Sequence, residues 1–303
     1  MMMTQTPASS SGGRFNYPVL RRPSLSELGK AIKWCDLFWQ NNLSLRTVWP
    51  AWLLRKPVVI THQGSYCRAP RGIDLVQRCK HAIVRRTTSV AISRAVAASF
   101  PTNSVIIHNP YDARKFSSGS RGGQRSARLI FLGRLVSEKG VDILLQALAI
   151  LQARNSSPSL TIVGGGPELS ALQELTKALR LEHQVTFTGP KRGEELTALL
   201  RRHEILVVPS RYDEPFGVVA LEGIACGCVV VGSRGGGLPE AIGPCGLVFQ
   251  NGDVNGLATA LESLLLSSEE RERLLAHASQ HLAKFHPATI AEEYLALFRS
   301  KLA

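Results

Sequence analysis

From residue 128 to residue 266, short apolar runs and helix-length amphipathic runs take turns without a break. That alternation limits the possible folds more than any other feature of the chain. Strands are expected near 128–133, 159–164, 184–188, 204–208, 228–232 and 246–249. Helices are expected near 138–154, 167–181, 193–202, 216–226 and 253–266. Apolar runs this short, bounded by Gly and Pro, suit strands buried on both faces, and each helix between them is long enough to cross over. The expected product is α/β: a parallel sheet covered by helices on both sides. Two further helices, near 268–284 and 287–302, close the chain.

Upstream the pattern is less regular. "PVVIT" (57–61), "SVAIS" (89–93) and "SVIIH" (104–108) read as strands, with "CDLFWQ" (35–40) a further candidate. "LVQRCKHAIVRR" (75–86) reads as a helix, apolar on one side and basic on the other. The low-complexity stretch 116–127, rich in Ser and Gly, reads as a linker, and residues 1–16 as a disordered tail. This divides the chain into the tail, an N-terminal domain at 17–117, a linker at 118–127, a C-terminal domain at 128–284 and a last helix at 285–303 expected to pack back on the N-terminal domain.

Charge separates the same two regions. Residues 1–120 hold 17 Lys and Arg against 4 Asp and Glu, whereas residues 121–303 hold 19 of each. The whole net charge of +13 therefore lies in the first part. Nucleic acid, an anionic membrane and an anionic substrate are all compatible with it. The six cysteines show neither a CxxC nor a spacing with His that suits zinc, which favours reduced thiols in a cytosolic protein. The N-terminus lacks the apolar stretch of a signal peptide, and no run is long and apolar enough to span a membrane.

In doubly wound sheets ligands sit where strands end and helices begin. Each such loop here carries a motif: "GRLVSEKG" (133–140), "GGGPE" (164–168), "GPKRG" (189–193), "PSRYDEPFG" (209–217) and "SRGGGLPE" (233–240). In "EPFGVVALE", Glu214 and Glu222 are eight residues apart, with Pro215 suited to a first helical turn. As a helix that spacing spans about 12 Å. Glycosidase carboxylate pairs stand only about 5–9.5 Å apart. A long ligand fits better: a carboxylate for diols at each end, and the free N–H groups of Phe216, Gly217 and Val218 for an anion between them. The alternative is a helix-mouth acid and a solvated one. Arg134 and Lys139 flank the turn after Gly133, where two cations can neutralise a diphosphate and stabilise it as it leaves. Taken singly, they also read as solvated surface cations.

The set GR…KG, VGGGPE, VxFxG, E-x7-E and GGxxE, at successive strand ends, resembles the C-terminal domain of family 4 retaining glycosyltransferases of the "glycosyl transferases group 1" type. Their GT-B fold has two Rossmann-like domains facing a cleft. The resemblance runs over about residues 55–300 and is densest over 129–250. It implies a nucleoside diphosphate sugar as donor, with Arg134 and Lys139 on its diphosphate and Glu214 on its sugar. It also implies the backbone at Gly133 and Phe216–Val218 beside the donor, Glu222 on the ribose, and Pro190 and Lys191 beside the base. "KPVVITHQGSY" is similar to the family's Thr-x-His-Gly turn, which would set His62 opposite the donor sugar, although a lone His at a strand end also reads as structural. "VIIHNPYDARKF" (105–116) is similar to the segment that ends the family's N-terminal domain. Such domains usually open with a strand and a glycine-rich loop, whereas Gly12 and Gly13 follow no expected strand, so the N-terminal domain reads as shortened.

The resulting expectation is a retaining glycosyltransferase acting on a glycan or lipid-linked acceptor in cell-envelope or exopolysaccharide synthesis. The alternative is a non-catalytic nucleotide-sugar-binding subunit. No cofactor is expected beyond the donor itself, no metal because there is no Asp-x-Asp, and no nucleic acid because no binding motif accompanies the charge. The expected location is cytoplasmic, peripheral on the inner membrane face through residues 75–86.

Overall fold

The computed structural model describes residues 1–4, 17–64, 75–100, 102–119 and 125–303. By its internal contacts the chain divides into two units. Unit 1 comprises Met1–Ala91, Ser99–Val105 and Leu295–Ala303; unit 2 comprises Ile92–Ala98 and Ile106–Tyr294.

Unit 1 begins with β1 (Met2–Thr4) and β2 (Val19–Arg21), which pair in parallel. Then come α1 (Leu25–Trp34), β3 (Phe38–Asn41), α2 (Leu45–Leu53), β4 (Val58–His62), α3 (Leu75–Val84) and β5 (Thr88–Ala91). After α4 (Arg94–Ala97), which belongs to unit 2, β6 (Val105–Ile106) completes a sheet of order β3-β4-β5-β6. α1 starts at a full capping box: Ser24 accepts from the Glu27 N–H, and the Glu27 carboxylate accepts from Ser24 N–H at 2.8 Å. Every residue of β4 is buried, as a central parallel strand requires.

Unit 2 alternates without exception: β7 (Ala127–Leu132), α5 (Val141–Ala153), β8 (Leu160–Val163), α6 (Leu169–Ala178), β9 (Val185–Gly189), α7 (Gly193–Arg202), β10 (His203–Val208), α8 (Val218–Ala225), β11 (Val229–Ser233), α9 (Leu238–Ile242), β12 (Gly246–Phe249) and α10 (Val254–Leu266). The six strands are all parallel, in the order β12-β11-β10-β7-β8-β9. The mostly aliphatic core includes Leu129, Leu144, Leu148, Ile162, Ile205, Val207 and Leu261 together with the aromatic Phe131, none more than 1% exposed. α11 (Ser268–Leu275), α12 (Ala278–Ala283) and α13 (Pro287–Leu302) follow.

Several expectations change. The break between units falls at 105/106, not within 118–127, so the "VIIHNPYDARKF" segment lies almost wholly in unit 2 rather than closing unit 1. A strand, β1, does precede Gly12 and Gly13, and it removes residues 2–4 from the expected tail; residues 5–16 lie outside the described residues. The single helix expected over 268–284 is two, α11 and α12. The N-terminal helix of 75–86 ends at Val84. Among the described residues no helix is long and apolar enough to cross a membrane.

Candidate functional site

The strand order of unit 2 reverses between β7 and β10: from β7 the next strands run one way, and from β10 the other. At such a switch point the two following loops diverge and leave a crevice at the carboxyl ends of the strands. The loops concerned are 133–140 and 209–217, which carry Arg134, Lys139 and Glu214.

Local backbone demands bring these loops together. Gly140 has φ of 66°, and a Cβ there would stand 2.0 Å from the Pro209 carbonyl oxygen, so only glycine permits the approach. Arg211 N–H donates to the Glu138 carbonyl at 2.8 Å, and the Arg211 guanidinium pairs with Asp142. Across this seam Lys139 Nζ meets Glu214 Oε1 at 2.6 Å. Ser210 donates to the same oxygen at 2.6 Å, and Tyr212 OH donates to Oε2 at 2.5 Å. Lys139 also donates to Tyr212 OH at 3.2 Å. Glu214 is only 5% exposed, so its charge is compensated by one cation and two hydroxyls rather than by water. Burial disfavours the Lys139 ammonium, but the bond to Glu214 and its charge outweigh this, and the lysine pKa is raised.

Glu214 does not begin a helix, as was expected. α8 starts at Val218, behind Gly217 with φ of 94°, while Glu214 forms a β-bridge with Gly236 and accepts Gly237 N–H at 2.7 Å. Pro215 therefore lies ahead of the helix, and the spacing from Glu214 to Glu222 is only partly helical. The Phe216 side chain turns inward, 1% exposed, against His108 and Phe285. The N–H groups of Phe216, Gly217 and Val218 donate to nothing among the described residues. Glu222, one turn into α8, is half-buried and accepts no hydrogen bond among the described residues. Burial and the charge of Asp112, opposed by Lys115, push its pKa up to about 7.

A cavity of about 280 Å³ opens at the ends of β7, β8 and β9, lined by Gly133, Arg134, Gly164, Gly165, Pro190 and Lys191. Gly164, at φ 148°, would place a Cβ 1.8 Å from the Gly133 carbonyl oxygen, so this turn cannot carry a side chain. Arg134 is exposed and makes no ion pair among the described residues, whereas Lys191 faces Glu195 at 3.6 Å. The structure thus gathers Gly133, Arg134, Pro190 and Lys191 around one cavity, and Lys139 with Glu214 beside the switch point.

His62 belongs to unit 1. Its ring has no solvent exposure, bonds Ser89 Oγ at 2.9 Å and stacks on Phe100 at 3.8 Å. Burial lowers its pKa to about 4, so the imidazole is neutral, packed within its own unit.

Sequence reasoning gave no role to Ser93, Arg94 or His108, all of unit 2, nor to Glu240 beyond its place in the GGxxE motif. Ser93 Oγ donates to the Pro215 carbonyl at 2.6 Å, and Arg94 N–H donates to Glu240 Oε1 at 2.8 Å. His108 Nε2 lies 3.2 Å from Glu240 Oε2. Burial raises the Glu240 pKa, but these two partners bring it below the usual carboxylate range. Segment 92–98 thereby braces the Pro-Phe-Gly turn and α9. Tyr212 was missed as well. Only its place two residues before Glu214 hinted at it, while nothing local marks Ser93 or Arg94, which lie more than a hundred residues from their partners.

Residues 114–281, more than half of the chain, match the sequence profile described as glycosyl transferases group 1. The chain belongs to that family. Among relatives in the group 1 family, a D-inositol 3-phosphate glycosyltransferase of Corynebacterium jeikeium is 38% identical over 201 residues, 60% of this chain and 48% of its own length. A glycogen synthase of Mycobacterium tuberculosis is 36% identical over 204 residues, 65% of this chain and 49% of its own. The chain spans about half the length of the curated relatives it matches. Anabaena Alr3699/HepE, solved in complex with UDP, superposes with a TM-score of 0.79 at 20% identity, over 93% of this chain and 86% of that one. Sucrose-phosphate synthase from Thermosynechococcus elongatus superposes at 0.70 and 23% identity, over 91% and 77%. At those identities the likeness is one of fold, and the fold is GT-B.

Proposed function

We propose that this group 1 family member is a family 4 retaining glycosyltransferase taking its sugar from a nucleoside diphosphate sugar. The observation that supports it most is the Lys139–Glu214 pair across the switch point, with Arg134, which makes no ion pair among the described residues, at the start of the same loop. In this reading Arg134 and Lys139 neutralise the diphosphate, and the free N–H groups at Phe216–Val218 meet its oxygens or the sugar. Lys139 has to share its charge between Glu214 and the incoming phosphate. Glu214, freed in part, accepts hydrogen bonds from sugar hydroxyls, and Glu222 accepts them from the ribose diol when ionised. The base occupies the cavity at Gly133, Gly165, Pro190 and Lys191. That the Anabaena protein was solved with UDP makes uracil the first base to try.

Transfer with retention then breaks the bond from the anomeric carbon to the diphosphate oxygen while the acceptor oxygen bonds that carbon on the same face. The acceptor proton passes to the departing phosphate oxygen, so no side-chain base is required. We assign the acceptor to glycans or lipid-linked sugars of the cell envelope.

Titration calorimetry with UDP tests the donor site. Arg134→Ala and Lys139→Ala should each weaken binding by about 1.5–3 kcal/mol, the range for a hydrogen bond to a charged group. Unchanged affinity in both variants overturns the diphosphate assignment. Glu222→Ala should weaken UDP itself, and Glu214→Ala only UDP-sugar. Sugar transfer to acceptor, measured with bound donor, separates the enzyme from a subunit that only binds.

A further inference from the structure

All four tryptophans of the chain, at 34, 39, 49 and 52, lie within nineteen residues of unit 1, and each is about half or more exposed. Trp39 is engaged, its Nε1 donating to Thr61 Oγ1 at 2.9 Å and its ring 5.5 Å from Phe298. The others are not. On α2 the pattern is helical: Trp49, Trp52 and Leu53 stand at i, i+3 and i+4, exposed by 49, 56 and 67%. Their direction is settled by the opposite side of the helix, where Val48, Pro50 and Ala51 are buried. Exposed Arg46 lies one turn before Trp49, while Arg55 and Lys56 follow Leu54. Residues 43–56 contain no acid. On α1, Trp34 is exposed as well, with exposed Lys30, Lys33 and Asp36 near it in the chain.

We propose that this face of α2, with Trp34, seats unit 1 on the surface of an anionic lipid bilayer. Tryptophan joins an apolar body to a polar N–H and partitions to the boundary between headgroups and acyl chains. Cations beside it add about 1 kcal/mol each near an anionic surface. A second copy of the chain is a poor occupant, because unit 1 carries 16 Lys and Arg against 3 Asp and Glu and would repel itself. An amphipathic helix of nine residues lies in the interface and does not cross it. The helix expected for this role, α3, has Val84 buried and Ile83 half-buried, with Arg78, Arg85 and Arg86 exposed. Among its described side chains no large apolar group is exposed, so these offer attraction without insertion. The proposal is independent of the donor-site reading, since it uses no residue of unit 2.

Because every tryptophan is in unit 1, indole emission of the full chain reports this unit alone. The test mixes the chain with vesicles of phosphatidylcholine, or of phosphatidylcholine with phosphatidylglycerol, some carrying brominated acyl chains that quench indoles on contact. The mixed vesicles should co-sediment the protein, and the brominated ones should quench it. Trp49→Ser/Trp52→Ser should lose about tenfold or more in binding and most of the quenching. Arg85→Ala/Arg86→Ala should weaken binding in a salt-dependent way yet keep the quenching. Circular dichroism and emission of the remaining Trp39 like those of the parent chain would show that the serine variant is folded. Three outcomes overturn the proposal: no quenching in bound protein, vesicle binding unaffected by the two serines, or self-association in solution that those serines abolish, which would give the face to a second copy.

Discussion

The two units of this chain are built from the same α/β elements yet differ in almost every surface property. Unit 2 has 20 Lys and Arg against 20 Asp and Glu, no tryptophan, and a six-stranded parallel sheet with an aliphatic core. Unit 1 holds the whole net charge of +13, every tryptophan, and a four-stranded sheet whose strands run to five residues at most. In unit 2 the charges that matter are drawn inside and compensated, as at Lys139, Glu214 and Glu240. In unit 1 none of the charged side chains among the described residues is buried, and almost all the unit's charges have one sign. In the readings proposed above, the neutral unit with buried charges would recognise one small anion by geometry, and the basic unit with exposed indoles would be drawn to a surface by area and sign.

Core truncation should give the largest effect and break the comparison if it fails. Phe131→Ala, in the middle of β7, should cost unit 2 about 3–5 kcal/mol, read from urea unfolding. Trp52→Ser in unit 1 should change stability by no more than about 0.5 kcal/mol, as expected of an exposed side chain. A comparable loss in both would mean that α2 is part of a core.

The second prediction is a pH dependence lodged in unit 2. The folded Glu222 carboxyl keeps its proton up to about pH 7, whereas its ordinary value is 4.5. Between those values the unfolded chain binds fewer protons, so stability falls as pH rises through that window and is fullest below it. The loss should be on the order of 3 kcal/mol, and Glu222→Gln should remove the slope. Equal pH profiles for parent and variant in thermal unfolding would refute the buried carboxyl. UDP binding should run the other way in the parent chain, strengthening as the carboxylate ionises towards pH 8.

The smallest effect sharpens the electrostatic contrast. Reversing one exposed cation of unit 1, by Arg85→Glu, should move unfolding by no more than about 0.5 kcal/mol but lower affinity for anionic vesicles measurably at low salt. The opposite pattern would show that Arg85 is structural.

Much of unit 2 was legible in the residues themselves. Strand and helix periods are local quantities, and Val, Ile and Leu runs of four to six residues between glycines admit few alternatives. β12 and α7 fall where the pattern placed them, at 246–249 and 193–202. The glycines at 140 and 164 fall in the tight strand-to-helix turns that the motifs suggested, each at a position where a Cβ would collide with a carbonyl oxygen. The charge split was equally plain, since it requires only counting.

What the tertiary structure alone decided depends on partners distant in the chain. The strand order that puts 133–140 beside 209–217 comes from sheet pairing, which no local period encodes. Hence the Lys139–Glu214 bond, with Ser210 and Tyr212 closing round the carboxylate, was not readable from either motif. The unit boundary at 105/106 was hidden because segment 92–98 folds against Pro215 and Glu240 instead of with its own neighbours. His62 shows the same limit: its identity suited a ligand-facing turn, and only packing against Ser89 and Phe100 showed a buried neutral ring. The α2 face was missed for a related reason. "TVWPAWLL" has helical spacing, but whether its tryptophans point inward or out depends on what the other side of the helix covers.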